Sequence, residues 1–179
     1  LYQYQFGDDY QLVLSKKSEI PPLLAIDQFL DAHLGKGAWQ ETGYSKDVGG
    51  VFEQAVGEIL RQEVDEIKAG VRFLGNEYGK RAQADLDLVI RIKNQFGVIE
   101  IKDRNKATLD ALKQLHYLSH LLGTYTKKFW VLSRQASPDH QAVINATRTV
   151  VVELPEFTNN TLPQEAAQHL RTQVSQAFA

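Results

Sequence analysis

From Ala84 to Lys102 the chain reads Ala-Asp-Leu-Asp-Leu-Val-Ile-Arg-Ile-Lys-Asn-Gln-Phe-Gly-Val-Ile-Glu-Ile-Lys. Both arms of this stretch alternate with the period of a β-strand. The alternating residues are Asp85, Asp87 and Val89 against Leu86, Leu88 and Ile90 in the first arm, and Glu100 and Lys102 against Ile99 and Ile101 in the second. A short polar segment ending in Gly97 separates the arms. We predict an antiparallel hairpin in which Gly97 can take a positive φ.

The register of this hairpin decides which charged side chains meet. A two-residue turn places Asp87 opposite Glu100 and Asp85 opposite Lys102, whereas a bulge at Gly97 shifts the pairing by one residue. In either register three carboxylates and one ammonium group lie within about 5–8 Å of one another. Carboxylates this close repel and raise each other's pKa. A divalent cation removes that cost, and one or two carboxylates with phosphate oxygens and water are the usual ligands of Mg²⁺.

Asp87, followed after the hairpin by Glu100-Ile101-Lys102, is similar to the metal-nuclease signature written PD-(D/E)xK. The Pro of that signature, a weak element of the pattern, is replaced by Leu86. The resemblance runs from about Gly49 to Arg134 and looks like the nuclease domain of the CRISPR ancillary nucleases that cyclic oligoadenylate activates. Its segments are Gly49-Gly50-Val51-Phe52-Glu53, Ala84 to Leu88, Ile99 to Lys102, and Asp110-Ala111-Leu112 to Leu122-Gly123.

The resemblance implies a divalent-metal-dependent endonuclease acting on DNA, with RNA as an open alternative. It implies that Asp87 and Glu100 hold Mg²⁺ or Mn²⁺, and that Lys102 orients or deprotonates the attacking water or stabilises the developing charge. A homodimer, nucleic acid as the partner and prokaryotic antiviral defence are further expectations from the resemblance. Asp85, which the resemblance does not require, is the extra carboxylate that would bind a second ion or position Lys102.

Glu53 is a fourth candidate, on the helix predicted before the hairpin. It lies beside an apolar stripe that contains Phe52 and Val56, and from there it would point over the sheet toward the metal or the water. The alternative is a solvated carboxylate in the first turn of a helix, where it suits the helix dipole. The sequence supports both interpretations of Glu53 equally.

The helix predicted after the hairpin carries weaker candidates. Gln114 or Lys113 would be placed to reach the site, although both residues are ordinary on an exposed helix face. His116 and His120 are four residues apart, the spacing at which two imidazoles share Zn²⁺. No third ligand accompanies them in the pattern of a zinc hydrolase, so we interpret them as a packed or surface pair.

Composition excludes several classes of protein. With 179 residues, 43% hydrophobic and 23% charged, the chain predicts one globular domain with a sizeable core. No apolar run is long enough for a membrane span, and the start of the chain lacks the features of a signal peptide. The lack of cysteine excludes disulfides and thiolate metal sites and fits a cytoplasmic protein. The chain contains no methionine and starts at Leu1, which indicates a processed product, a fragment or a sequence from which methionines are missing.

Charge is distributed unevenly along the chain. The formal net charge is −2, but residues 68–134 carry 13 Lys and Arg against 6 Asp and Glu, a local balance of +7. Positive charge around the hairpin is what a phosphate-binding face requires. A solvated sheet edge protected by Lys and Arg has the same composition, and the charge count does not separate the two.

The chain divides into two predicted parts. Residues 1–40 form a hairpin from Tyr2 to Lys17 and a helix from Pro21 to Leu34, as a connector or appendage. Residues 41–179 form the nuclease domain. Strands alternate with helices after the central hairpin, which predicts a restriction-endonuclease-like mixed α/β sheet with helices on both faces.

The sequence predicts two elements between the helix capped by Asp47 and the hairpin. Asp65 to Gly70 forms a turn. Val71 to Leu74 then forms a brief apolar strand.

Two other functions fit the sequence. The same fold and site occur in Holliday-junction resolvases and restriction-type nucleases, because one fold hosts many substrates. Alternatively, the chain is a catalytically silent nucleic-acid-binding or assembly domain, in which the charged residues form cross-strand ion pairs of little energetic value. The apolar residues of the hairpin weigh against the silent domain, because they make it a core element in which an uncompensated charge cluster is costly.

Overall fold

A computed structural model of the chain describes residues 2–6, 12–16, 24–74, 85–103 and 107–179, with the backbone alone for the first two segments. The strands in this part of the chain are β1 (Tyr2–Phe6), β2 (Leu12–Lys16), β3 (Trp39–Glu41), β4 (Glu66–Phe73), β5 (Asp85–Ile92), β6 (Gln95–Lys102), β7 (Lys127–Leu132) and β8 (Val150–Glu153). The α-helices are α1 (Ile26–Leu34), α2 (Gly50–Leu60), α3 (Leu109–Leu121), α4 (Gln141–Thr147) and α5 (Gln164–Ala177).

The central sheet has six strands in the order β3-β4-β5-β6-β7-β8. Neighbours from β3 to β6 are antiparallel, whereas β6, β7 and β8 are parallel to one another. The parallel strands are joined by crossovers that contain α3 and α4, as parallel pairing requires. This is the predicted restriction-endonuclease-like mixed α/β sheet flanked by helices. β1 and β2 pair antiparallel in a separate two-stranded sheet, and the turn predicted between them lies outside the described residues.

Two hydrophobic cores lie on opposite faces of the sheet, because neighbouring strand residues such as Val98 and Ile99 pack into different ones. The first, which we call the α3 core, receives buried side chains from α1, α3 and α4. The second, the α2 core, receives buried side chains from α2 and α5. The predicted division of the chain at residue 40 stays a prediction, although α1 already contributes to the α3 core. No helix in the described ranges combines the length and apolar composition that a membrane span needs.

The hairpin of β5 and β6 has the register predicted for a two-residue turn. Leu88 pairs with Ile99 and Ile92 with Gln95, and the pairing continues through Gly97 without a bulge. The expectation of a positive φ at Gly97 is wrong, because Lys93 in the turn takes it, with a φ of 55°. Gly97 is required for another reason. An added Cβ would lie 2.8 Å from the ring of Phe178, so the strand passes too close to the C-terminal helix for a side chain.

The alternation of side chains is interrupted next to Asp87. Leu88 and Ile90 pack in the α2 core, but Leu86 packs in the α3 core, so the expectation that all three share a face is wrong. The neighbouring strand β4 changes face at the same level, between Ala69 and Val71.

Gly70 lies at this change of face, with a φ of 64°. The predicted turn ending at Gly70 is also wrong, because β4 begins at Glu66 and passes through Gly70. Gly70 and Asp87 are the positions left out between the cross-strand pairs Ala69–Leu88 and Val71–Leu86. A left-handed residue inside β4 thus accompanies the irregularity that carries Asp87.

Gly70→Ala is expected to lower the free energy of unfolding by about 2–4 kcal/mol, as measured by urea denaturation. The added Cβ would lie 2.2 Å from the carbonyl oxygen of Gly43 and 2.4 Å from Oγ1 of Thr42. Gly37→Ala is the matched control, because Gly37 has a φ of 81° and an added Cβ there meets no described atom within 4 Å. The control should lose only about 1 kcal/mol, and equal losses in both variants would contradict the role given to close packing at Gly70.

Candidate active site

Asp87 lies where β5 and β6 separate. Their pairing ends at Leu88 and Ile99, and the next residue on β5, Asp87, accepts a hydrogen bond from the backbone N–H of Ile101 through Oδ2 at 2.6 Å. Where the backbone pairing of β5 and β6 ends, the Asp87 carboxylate therefore accepts a hydrogen bond that a backbone carbonyl of the partner strand would otherwise accept. This bond attaches the Asp87 side chain to the strand that carries Glu100.

Glu100 and Lys102 follow on β6, two residues apart and on the same side of the strand. Glu100 is buried, with 7% of its surface exposed. The Lys102 ammonium forms an ion pair with Oε1 of Glu100, and 23% of the Lys102 side chain is exposed. The lysine therefore lies between a buried carboxylate and solvent.

The carboxylates of this cluster destabilise each other's charged forms. Burial raises the pKa of Asp87 well above its usual range, and repulsion from Glu100 and Glu53 adds to this against the attraction of Lys102. Burial also raises the pKa of Glu100, although Lys102 opposes the effect. Burial lowers the pKa of Lys102, but Glu100 and Asp87 outweigh this and raise the pKa above its usual range. Lys102 is therefore a cation at neutral pH.

Glu53 is brought together with these three residues. It lies in the first turn of α2, and its Oε2 accepts a hydrogen bond from the backbone N–H of Ser45 at 2.9 Å. Its charge raises the pKa of Asp87, Glu100 and Lys102, so it lies close enough to act on all of them. Both interpretations of Glu53 stay predictions, because its described hydrogen bond is to the Ser45 N–H and not to the cluster.

The described partner of Asp85 lies on the other side of β5 from Lys102. Asp85 pairs in register with Arg72 of β4, whereas the described pairing of β5 with β6 ends at Leu88 and Ile99, so the expected position of Asp85 opposite Lys102 stays a prediction. Arg72 binds it with two hydrogen bonds, from Nε to Oδ1 at 2.9 Å and from the second guanidinium nitrogen to Oδ2 at 3.0 Å. The cross-strand neighbour decides this, because Arg72 and Asp85 are directly opposite on paired strands. The charge of Asp85 still contributes to the raised pKa of Glu100.

The remaining candidates on α3 are separate from the cluster. Gln114 and Lys113 are exposed, and neither has a described bond to the carboxylates. His116 and His120 form a pair with their Nε2 atoms 3.2 Å apart. Within the ranges given above, no three His, Cys, Asp or Glu side chains are arranged around one ion position.

Comparison with solved structures identifies similar folds. A structure of Can2 from Sulfobacillus thermosulfidooxidans in complex with cyclic tetra-adenylate matches with a TM-score of 0.52 and 15% identity, over 72% of this chain and 35% of Can2. The chain shares the fold of Can2. Protein VC1899 from Vibrio cholerae matches with a TM-score of 0.52 and 17% identity, over 73% of this chain and 34% of VC1899. The chain thus spans about a third of the length of Can2 and VC1899. No protein-family model matches the sequence, and neither does any curated protein.

Three contacts of the Can2-like sheet were not anticipated from the sequence: the Asp87 bond to the Ile101 N–H, the Arg72 bond to Asp85 and the Ser45 bond to Glu53. Arg72 could have been found had β4 been predicted at its full length, because it alternates with Val71 and Phe73. The other two contacts are donated by backbone N–H groups. Nearly every residue has such a group, so the sequence does not indicate which one will bind a given carboxylate.

Proposed function

We propose that the chain is a divalent-metal-dependent endonuclease that hydrolyses phosphodiester bonds of DNA, with RNA as a further substrate, in prokaryotic defence. One observation carries the proposal. Asp87 and Glu100 place two carboxylates within electrostatic reach of each other, Glu53 adds to the repulsion on both, and Lys102 provides the compensating cation. Such an excess of negative charge is costly unless a cation binds.

The residues present fit Mg²⁺ or Mn²⁺. Asp87 and Glu100 would hold the ion, since hard cations take oxygen ligands. Two carboxylates are sufficient for Mg²⁺, because substrate phosphate and water complete its coordination, so a closed cage of three protein ligands is not required. When bound, the ion would stabilise negative charge on the phosphate and lower the pKa of a water molecule.

Lys102 and Glu53 have different roles in this proposal. Lys102, protonated and partly exposed, donates hydrogen bonds to the attacking water and to a phosphate oxygen as negative charge develops there. Glu53 is held by the Ser45 N–H through Oε2, which leaves Oε1 to accept a hydrogen bond from the same water. The bond from Ile101 keeps the Asp87 carboxylate oriented throughout.

The defence setting and a homodimeric assembly belong to the same proposal. The resemblance of the sequence to the CRISPR ancillary nucleases supports both, and the fold shared with Can2, whose structure is a complex with cyclic tetra-adenylate, supports the defence setting.

Cleavage of plasmid DNA, single-stranded DNA and single-stranded RNA with Mn²⁺, Mg²⁺ or chelator tests the proposal. Cleavage is expected with either ion and not with chelator. Glu100→Gln should reduce the rate by at least about 100-fold, because several kcal/mol of charge stabilisation are lost. Glu58→Gln is the matched control, since Glu58 is an exposed carboxylate on the same helix as Glu53. Full activity of Glu100→Gln would move the chemistry elsewhere, and no cleavage of any substrate would favour the silent domain.

A further inference from the structure

A group of basic side chains lies on α3 and β7, separate from the carboxylates. Lys128 Nζ lies 3.5 Å from Nδ1 of His116, whose Nε2 lies 3.2 Å from Nε2 of His120. Arg148, which follows α4, is close enough to act on Lys128. We call these four residues the α3 basic surface.

The α3 basic surface holds like charges together without a counter-ion. Burial and the charge of Arg148 lower the pKa of Lys128. Burial, Lys128 and His120 lower the pKa of His116. No carboxylate among the described residues forms an ion pair with Lys128 or Arg148, or raises the pKa of Lys128 or His116.

Other partly buried cations of the sheet are neutralised. Lys68 pairs with Asp27 and Glu41, Arg72 with Asp85, and Arg91 with Asp65 and Glu66. Lys128 is also partly buried, but its described partner is the imidazole of His116, and the charge of Arg148 lowers its pKa. A bound anionic ligand would neutralise the excess positive charge of this surface.

Two exposed tyrosines are close in sequence to residues of this surface. Tyr117 lies on α3 between the two histidines and is 54% exposed, and Tyr125 precedes β7 and is 79% exposed. Large aromatic side chains next to cations are the usual components of single-strand binding surfaces, where bases stack and phosphates are neutralised.

The surface lies on the sheet face that carries Glu100. Val98 pairs with Lys128 and Glu100 with Trp130 in parallel register, so Lys128 is displaced from Glu100 by one strand and two residues, about 7 Å along the strand. Because β6 and β7 are parallel, α3 runs back between them and starts near the end of β6 that carries Lys102. A strand bound along α3 therefore leads toward the carboxylates.

We infer that the α3 basic surface, with Tyr117 and Tyr125, binds a segment of single-stranded nucleic acid next to the proposed metal site. Lys128 and Arg148 contact phosphates, and the tyrosines stack on bases. His120 supplies a further hydrogen-bonding group to the same segment, whereas both ring nitrogens of His116 already face described partners. The choice of nucleic acid as the ligand rests on the proposed nuclease function, but binding to this surface does not require cleavage.

Fluorescence anisotropy with a short labelled single strand tests the inference. All variants carry Glu100→Gln and are measured in chelator, so that binding is observed without cleavage. Lys128→Gln is expected to weaken binding to DNA and RNA strands of any sequence and to reduce the slope of log K against log salt by about one. Tyr125→Ala is expected to weaken single-strand binding by about 10-fold and to affect a duplex much less.

Lys36→Gln is the matched control, because Lys36 is an exposed lysine in the segment between α1 and β3. A thermal melt in chelator should show Lys128→Gln at least as stable as its parent, since it removes a crowded cation. Equal affinities and salt slopes for Lys128→Gln and Lys36→Gln would overturn the inference. So would equal losses on duplex and single strand after Tyr125→Ala. Failure of cleavage with this binding intact would refute the nuclease and leave the surface standing.

Discussion

Lys102→Met is expected to lower the free energy of unfolding by about 3–5 kcal/mol at about pH 8 in chelator, because it breaks a largely buried ion pair from one side. Glu100 would lose its ion-pair partner and remain buried beside Asp87. The carboxylates of Asp87 and Glu100 repel each other. Within the described residues, Lys102 is the only cation that opposes the rise in the pKa of Asp87. Urea denaturation of the two proteins measures the difference.

The stability lost in Lys102→Met should be larger at about pH 8 than at about pH 5. The pKa of Asp87 and of Glu100 is raised in the folded protein, so folding favours their protonated forms. At pH values below the usual pKa of 3.8 for Asp87 and 4.5 for Glu100, both groups contribute fully to stability. This contribution is lost as the pH rises through their raised pKa values in the folded protein. Lys102→Met should therefore cost less at about pH 5, where protonation relieves the repulsion.

Lys113→Met is the control for Lys102→Met, because Lys113 is exposed on α3 and has no described carboxylate partner. It should change stability by no more than about 0.5 kcal/mol. Lys102→Met should also reduce the cleavage rate by about 10²–10³-fold, the range for loss of one hydrogen-bond donor that stabilises developing charge. A stability loss that matched the control at both pH values would show that Lys102 does not neutralise the cluster.

Asp87→Asn is expected to abolish both cleavage and the response of the protein to Mn²⁺. Wild type should gain about 2.7 kcal/mol at a metal concentration 100 times the Kd, whereas the variant lacks one of the two proposed ligands. In chelator, where no metal is bound, the order of stability reverses, and Asp87→Asn should be more stable than wild type by about 0.5–2 kcal/mol. The amide still accepts the hydrogen bond from Ile101 but removes the charge that Glu100 and Glu53 repel.

The matched control for Asp87→Asn is Asp139→Asn, which changes an exposed carboxylate at the start of a 3-10 helix. It should retain the full stabilisation by Mn²⁺ in a thermal melt. The stability of wild type in chelator should also fall more steeply than that of Asp87→Asn as pH rises above about 4, because Asp87 carries a raised pKa. An undiminished Mn²⁺ response in Asp87→Asn would remove Asp87 from the proposed metal site.

The hairpin was predictable because its information is local. Alternation over two arms and a short polar connection limit the hairpin to two registers, and the observed pairs of Leu88 with Ile99 and Ile92 with Gln95 follow the one with a two-residue turn. From that register the sequence also brings Asp87 next to Glu100 and places Lys102 on the same side of β6. The mixed α/β architecture was predictable for a similar reason, since each helix and strand carries its own hydrophobic period.

The surroundings of the hairpin were not predictable in this way. Because residues 65–70 were predicted to form a turn, the first half of β4 was missed, and with it the pairing of Arg72 with Asp85. A left-handed glycine inside a strand cannot be distinguished by sequence from a glycine in a turn, because both exploit the same missing Cβ.

The sequence by itself determined the central hairpin, the α/β class and which charged residues share the end of β6. Only the tertiary structure decided that Leu86 changes face at the level of Gly70, that Arg72 captures Asp85, and that the Ser45 N–H binds Glu53. The physical reason is distance along the chain. Alternation and turns act between neighbouring residues, whereas these three arrangements depend on backbone groups and strands that become neighbours only after the sheet and α2 have packed together.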